Sequence, residues 1–202
     1  MTLAQMIAEL DLLLDQTATA STFWTLTHYY TELSAGQREV ASILNKKGSD
    51  KISSLLKHFE VTSNYYGTCP ADFMDIHAAR FAYDGTTYYP CDVYTYEKYL
   101  NAISNVYKVP GLQDPIVYIR ATTSLGRKIY FYPVHATPTT SNGEVIYIAG
   151  PTDIDGSTQP VLPPETHNAI VKFAFARLLE RDKRMDESAK AIKEFYGLVE
   201  AL

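Results

Sequence analysis

The hydrophobic period of this chain changes twice along its length, and that change constrains its fold more than any single residue does. Over the first 48 residues apolar side chains recur at steps of three and four. Several runs between Phe73 and Gly150 alternate every second residue, and beyond Leu162 the helical spacing returns. Those periods mark amphipathic helices and half-buried strands respectively. The order helices, sheet, helices reads as α+β: mainly an α-helical bundle from N- and C-terminal helices, with an inserted antiparallel β region. With 202 residues the chain is long enough to bury a core as a single domain. Its expected parts are N-terminal helices over 1–48, a β-rich insertion over 70–150 and C-terminal helices over 163–202.

The spacing predicts a first helix over Thr2–Asp15, with Leu3, Met6, Ile7, Leu10, Leu13 and Leu14 on one face. "QTATAS" interrupts it, and Ser21 or Thr22 is placed to N-cap a second helix. There Phe23, Leu26, Tyr30, Leu33, Gln37, Val40 and Leu44 form a stripe in which only Gln37 is polar. Lys46 and Lys47 meet the negative helix end and Gly48 supplies a left-handed stop. Two such helices on a short link predict an antiparallel pair.

Periodicity leaves Ser49–Tyr66 open between short helix and strand. "FMDIHAARFAY", Asp84-Gly85 and "TTYYPCDV" predict a hairpin, and "TYEKYLNAISNVY" a short helix with Tyr96, Tyr99, Leu100 and Ile103 on one face. "PIVYIRA", "LGRKIYFYP" and "GEVIYIAG" predict a three-stranded antiparallel sheet. "PTDIDGSTQPVLPP" is a proline-broken connector. After Pro163 and Pro164, the stripes Ile170/Ala174/Leu178 and Val171/Phe175/Leu179 give one helix a wide apolar face. Beyond the charged block "ERDKRMDE", Met185, Ala189, Ile192, Phe195, Tyr196, Val199 and Leu202 give the last helix a narrower one.

Composition excludes some functions. A net charge of −5 with no clustered basic stripe argues against gripping nucleic acid. No run reaches the roughly 18–20 apolar residues of a membrane span, and "MTLAQMIAELDLLLD" has no basic region or cleavage site of a signal peptide. Cys69 and Cys91 lie far apart and read as reduced, semi-buried thiols. Sixteen tyrosines, against eight phenylalanines and one tryptophan, suit strands, rims and interfaces.

No catalytic signature stands out. His28, His58, His77, His135 and His167 lack metal-ligand spacing, and no nucleophile elbow or phosphate cradle occurs. "TDIDG" has too few oxygen ligands for a calcium loop. The enzymatic alternative is a hydrolase built on Asp72, Asp75, His77 and Asp84, of which Asp72 and Asp84 have ready structural roles at a strand start and a turn. No cofactor is implied.

Four stretches, in order, resemble the head-to-tail connector proteins of tailed bacteriophages, also called adaptor or head-completion proteins. They are "FWTLTHYYTELSAGQREVAS", "CPADFMDIHAARFAYDGTTYYP", "DPIVYIRATTSLGRKIYFYP" and "LPPETHNAIVKFAFARLLERDKRMDESAKAIKEF". They carry Gly36-Gln37-Arg38-Glu39-Val40, a Pro-x-Asp-Phe strand start, a Pro-x-x-Tyr strand and a Leu-Pro-x-x-x-His lead-in to paired C-terminal helices. The resemblance implies a non-enzymatic virion protein of the neck, made in the host bacterial cytoplasm. It implies a homo-oligomeric, dodecameric ring that binds the portal protein and tail or neck proteins, through which DNA passes without specific binding. The candidate partner interface is Arg181, Arg184, Met185, Ile192, Phe195, Tyr196, Val199 and Leu202, offered by a last helix that otherwise folds back onto its own bundle. Another minor virion or tail-completion protein would share these features.

Overall fold

Thr2 opens the first helix with a reciprocal cap: its hydroxyl accepts the Gln5 N–H at 3.3 Å while Gln5 Oε1 accepts the Thr2 N–H at 2.7 Å. A computed structural model of the chain describes residues 1–15, 23–62, 64–105, 109–122, 126–134 and 141–202. The anticipated cap at Ser21 or Thr22, and His135, lie outside the described residues.

Helix α1 (Leu3–Leu14) buries Leu3, Met6, Leu10 and Leu14. Helix α2 (Leu26–Lys47) starts after Thr25, whose N–H is accepted by His28 Nδ1 at 3.2 Å, and stops at Gly48 with φ 64°. That bond gives His28 a local role. The next described helices of this unit are α4 (His167–Arg181) and α5 (Met185–Glu200), after α3 (Tyr96–Ser104) in the β segment. The two apolar stripes of α4 are buried apart from the half-buried Phe175, because α1, α2 and α5 each pack against the helix. Thus α1 and α2 each pack on α4, and Tyr29 of α2 lies near Asp11 of α1.

The chain divides into two compact units, Met1–Leu55 with Gly150–Leu202, and Leu56–Ala149. The second contains strands β1 (Leu56–Thr62), β2 (Tyr66–Thr68), β3 (Phe73–Ala82), β4 (Tyr89–Pro90), β5 (Asp92–Tyr94), β6 (Ile116–Thr122), β7 (Gly126–Tyr132) and β8 (Asn142–Ala149). They form two four-stranded sheets, ordered β1-β8-β3-β4 and β2-β7-β6-β5. Val61, Phe73, Ile76, Phe81, Val145 and Tyr147 of one sheet pack with Val117, Ile129 and Phe131 of the other. Phe81 and Phe131 stack across this core with centroids 4.6 Å apart.

The α+β class stands, but the chain is not mainly a helical bundle, and its β region is neither one sheet nor wholly antiparallel. The stretch left open between helix and strand supplies a 3₁₀ turn (Asp50–Leu55) and then β1. Strand β8 leaves its sequence neighbours β6 and β7 and pairs between β1 and β3, while β5 runs parallel to β6. The cause is burial. Were β6, β7 and β8 one sheet, their apolar sides would form a single layer with nothing opposite. Splitting them sets Val145 and Tyr147 against Val117 and Phe131. The predicted hairpin shrinks for the same reason: only Tyr89 and Pro90 pair with β3, and Asp92–Tyr94 join the other sheet.

Candidate functional site

The four motif stretches carry structural tasks that can be named atom by atom. Gly36 sits at a close approach of α2 and α4, since a Cβ there would lie 2.8 Å from the Ile170 carbonyl oxygen. Beside it the buried Gln37 donates to the Thr152 carbonyl at 2.9 Å and accepts the Val161 N–H at 2.7 Å. One polar residue in an apolar stripe therefore holds both ends of the proline-broken connector. Arg38 pairs with Asp153 of that connector. Asp155 accepts from the Ser157 hydroxyl at 2.8 Å and from the N–H groups of Ser157 and Thr158, each at 2.7 Å, which holds its carboxyl down to about 2. The acids of "TDIDG" are thus engaged by neighbouring residues.

The Leu-Pro-x-x-x-His stretch is a pin. Buried His167 places Nε2 2.9 Å from the Leu162 carbonyl and Nδ1 2.7 Å from the Met1 carbonyl, joining the chain start, the connector and α4. In Pro70-Ala71-Asp72-Phe73, Asp72 accepts from Lys57 Nζ at 2.6 Å and from the Tyr147 hydroxyl at 3.0 Å. The Lys57 ammonium holds the Asp72 carboxyl below the usual range. Phe73 stacks on Tyr147 at 5.4 Å.

Asp72, Asp75, His77 and Asp84 have separate surroundings. Asp75 accepts the N–H of Ile76 at 2.9 Å, His77 is exposed on β3, and Asp84 accepts the N–H groups of Thr86 and Thr87 in the loop after β3. Burial pushes the Cys91 thiol up to about 12 and raises that of Cys69, so neither is a ready thiolate near neutral pH. Among the described residues no group of three or more His, Cys, Asp or Glu side chains is placed to hold a metal ion. No described helix is long and apolar enough to cross a membrane.

The sequence-derived partner residues divide between inside and outside. Phe195 and Val199 are buried against α4, with Ala191 and Ser188, whose hydroxyl donates to the Ala176 carbonyl at 2.9 Å. Ile192 and Leu202 are half-buried, whereas Met185 and Tyr196 are 58% and 50% exposed. Arg184 pairs with Glu187. Arg181 reaches Glu32, a carboxylate buried in α2, at 2.6 Å, and Arg177 approaches it at 3.8 Å. The periodicity of α2 did not single out Glu32, because it lies beside the apolar stripe. Leu198, 37% exposed, lies on the opposite flank of α5 from Met185 and Tyr196 and was also missed.

A second surface lies on the outer side of the β2-β7-β6-β5 sheet. Tyr66, Tyr130 and Tyr118 are register partners across β2, β7 and β6. With Tyr99 and Tyr96 of α3 they make one row, with successive centroids 5.8, 5.4, 4.0 and 5.9 Å apart. Thr95 starts α3 by accepting the Lys98 N–H at 3.1 Å. None of the residues of α3 is fully buried. Burial and the adjacent Tyr99 hydroxyl keep the Tyr118 phenol neutral. Lys128 lies over the Tyr66 ring at 4.6 Å and Arg120 over Tyr96 at 5.4 Å.

Motifs engaged in packing, together with two exposed apolar surfaces, define a protein built for assembly and display. The family model of the SU10 adaptor proteins matches residues 1–202, and the chain belongs to that family. The family implies a structural role in the phage virion, in contact with other head or tail proteins. No curated protein matches the chain.

Proposed function

We propose that this chain is a non-enzymatic ring component seated between portal and tail, extending the channel through which DNA passes. The family match over the whole chain carries the reading. The geometry supports it, because a ring component seated on another ring needs one surface for that partner and other surfaces for its own neighbours. This molecule has the exposed side of α5, with Met185 and Tyr196, for the first and the tyrosine row of the sheet for the second. A net charge of −5 suits a channel along which DNA slides without sticking.

In this reading the portal meets the exposed side of α5. Phe195 and Val199 act beneath it by holding the helix on α4. Removing residues 185–202 would therefore strip the core along with the surface, so the test is made on surface residues. The purified protein is mixed with the portal ring of the same phage and imaged by electron microscopy. A new tier of density below the portal is expected, weakened at least tenfold in occupancy by Met185→Asp with Tyr196→Asp. Folded wild-type protein that leaves the portal bare would remove direct portal docking and favour another minor virion or tail-completion role.

A further inference from the structure

The tyrosine row presents a particular chemistry. Tyr118 and Tyr130 stack at 12° and Tyr99 and Tyr118 at 15°, so these rings turn their faces to one another. Tyr118 is buried at 8% exposed, so what the row offers outward is the edges and hydroxyls of the rings around it, which carry positive character and suit carboxylates. Arg120 and Lys128 are register partners on the same side, and no described carboxylate forms an ion pair with either. Leu100 and Ile103 of α3 leave exposed apolar surface beside them.

The chemistry that fits this face is found on the chain itself, at the C-terminal end of α1. Leu12 is 80% exposed, the most exposed large hydrophobic among the described residues. Asp15 caps the helix, and no base occurs in its last turn, so its charge adds to the negative end of the helix dipole. The half-buried Glu9 lies three residues before Leu12 and Asp15 three after it, so the two carboxylates flank Leu12. The unit that bears α1 carries fifteen acids and eleven bases, whereas the β unit carries eight acids and seven bases.

We infer that the tyrosine face of one copy seats the α1 end of a second copy, with Leu12 against the aromatic and α3 side chains and Asp15 and Glu9 toward Arg120 and Lys128. The inference rests on the ring reading and names the two surfaces that join neighbours. A row of rings stacked on themselves lacks the free faces that bases need, and the near-balanced charge of the β unit lacks the excess of cations, so single-stranded nucleic acid fits this face less well.

The test is charge exchange in the full-length protein, with assembly on the portal ring followed by electron microscopy and by sedimentation. Arg120→Glu with Lys128→Glu is expected to lower subunit assembly at least tenfold, as is Glu9→Lys with Asp15→Lys. All four substitutions together are expected to restore it, which also shows that the variants fold. Wild-type assembly by the Arg120/Lys128 variant, or no rescue by the fourfold variant, would overturn the pairing while leaving the ring intact. Wild-type protein that never self-associates, alone or on the portal, would overturn both. Binding of a single-stranded oligonucleotide that is lost in the Arg120/Lys128 variant, with assembly unchanged, would reassign the face to nucleic acid.

Discussion

The two units of this protein solve the problem of a unique core in different ways. In the helical unit polar groups are buried and used: Glu32, Ser34, Gln37, Thr166, His167 and Ser188 are all inside. Most of them bond to backbone far away in sequence, as Ser34 does when its hydroxyl accepts the Ile154 N–H at 2.8 Å. Among the described residues of the β unit only Ser141 is a buried polar residue, and the interior is aromatic and aliphatic. Helices with broad apolar faces slide and rotate easily over one another, so a few polar pins select one arrangement. Sheets need fewer pins, because the ladder of backbone bonds already fixes their register.

The largest effects should be equal in kind, since both cores are apolar at their centres. Phe195→Ala and Phe131→Ala each remove a ring that is no more than 1% exposed and should cost about 3–5 kcal/mol. Hydrogen exchange read by mass spectrometry should locate the first loss in residues 1–55 and 150–202 and the second in 56–149. If either substitution loosens both units to the same degree, the division into two stabilising systems is wrong.

Substituting the polar pins should then separate the units. Arg181→Ala leaves the buried Glu32 carboxylate with only the more distant Arg177, and should cost about 2–3 kcal/mol. Glu32→Gln should cost less, because both arginines are close to half exposed and turn to water. Gln37→Ala strands the Thr152 carbonyl and the Val161 N–H and should cost about 1–3 kcal/mol. Urea denaturation checks each value. In the β unit Arg80→Ala breaks an exposed 2.6 Å pair with Glu144 and should cost less than about 1 kcal/mol.

The same contrast explains what was legible in the sequence. The helices were readable because their pattern is local: the faces of α1 and α4 and the Gly48 stop need no knowledge of the rest of the chain. The sandwich was less readable, because the partners of β8 lie far away on both sides, Leu56 with Ile148 and Phe73 with Ala149. No periodicity in "GEVIYIAG" distinguishes those partners from β7. The pins were half legible. Gln37 stood out as the lone polar member of a stripe, whereas Glu32 became visible only once Arg177 and Arg181 were placed beside it. For the interaction surfaces, α3 showed its apolar face in sequence, but the tyrosine row depends on register between β2, β7 and β6.

The smallest effects belong to a feature that the two units share. Asp84 in the β unit and Asp155 in the helical unit each accept N–H groups two and three residues ahead, in fully exposed turns. Both carboxyls are held below the ordinary value of about 4 because the ionised form accepts those bonds. The sign follows from linkage: a depressed carboxyl contributes stability above its unfolded pKa and loses it as pH falls through the folded one. The Asp155 contribution should therefore fade between about pH 4 and its midpoint at about 2, and Asp84 should titrate below the usual range as well. Side-chain carboxyl titration by NMR measures both. At neutral pH Asp84→Asn and Asp155→Asn should leave both units nearly unchanged, since an amide oxygen still accepts and the turns lie in water. A marked loss in one unit alone would mean that an exposed turn acts there as a pin, which the division between buried polar locks and an apolar sandwich does not allow.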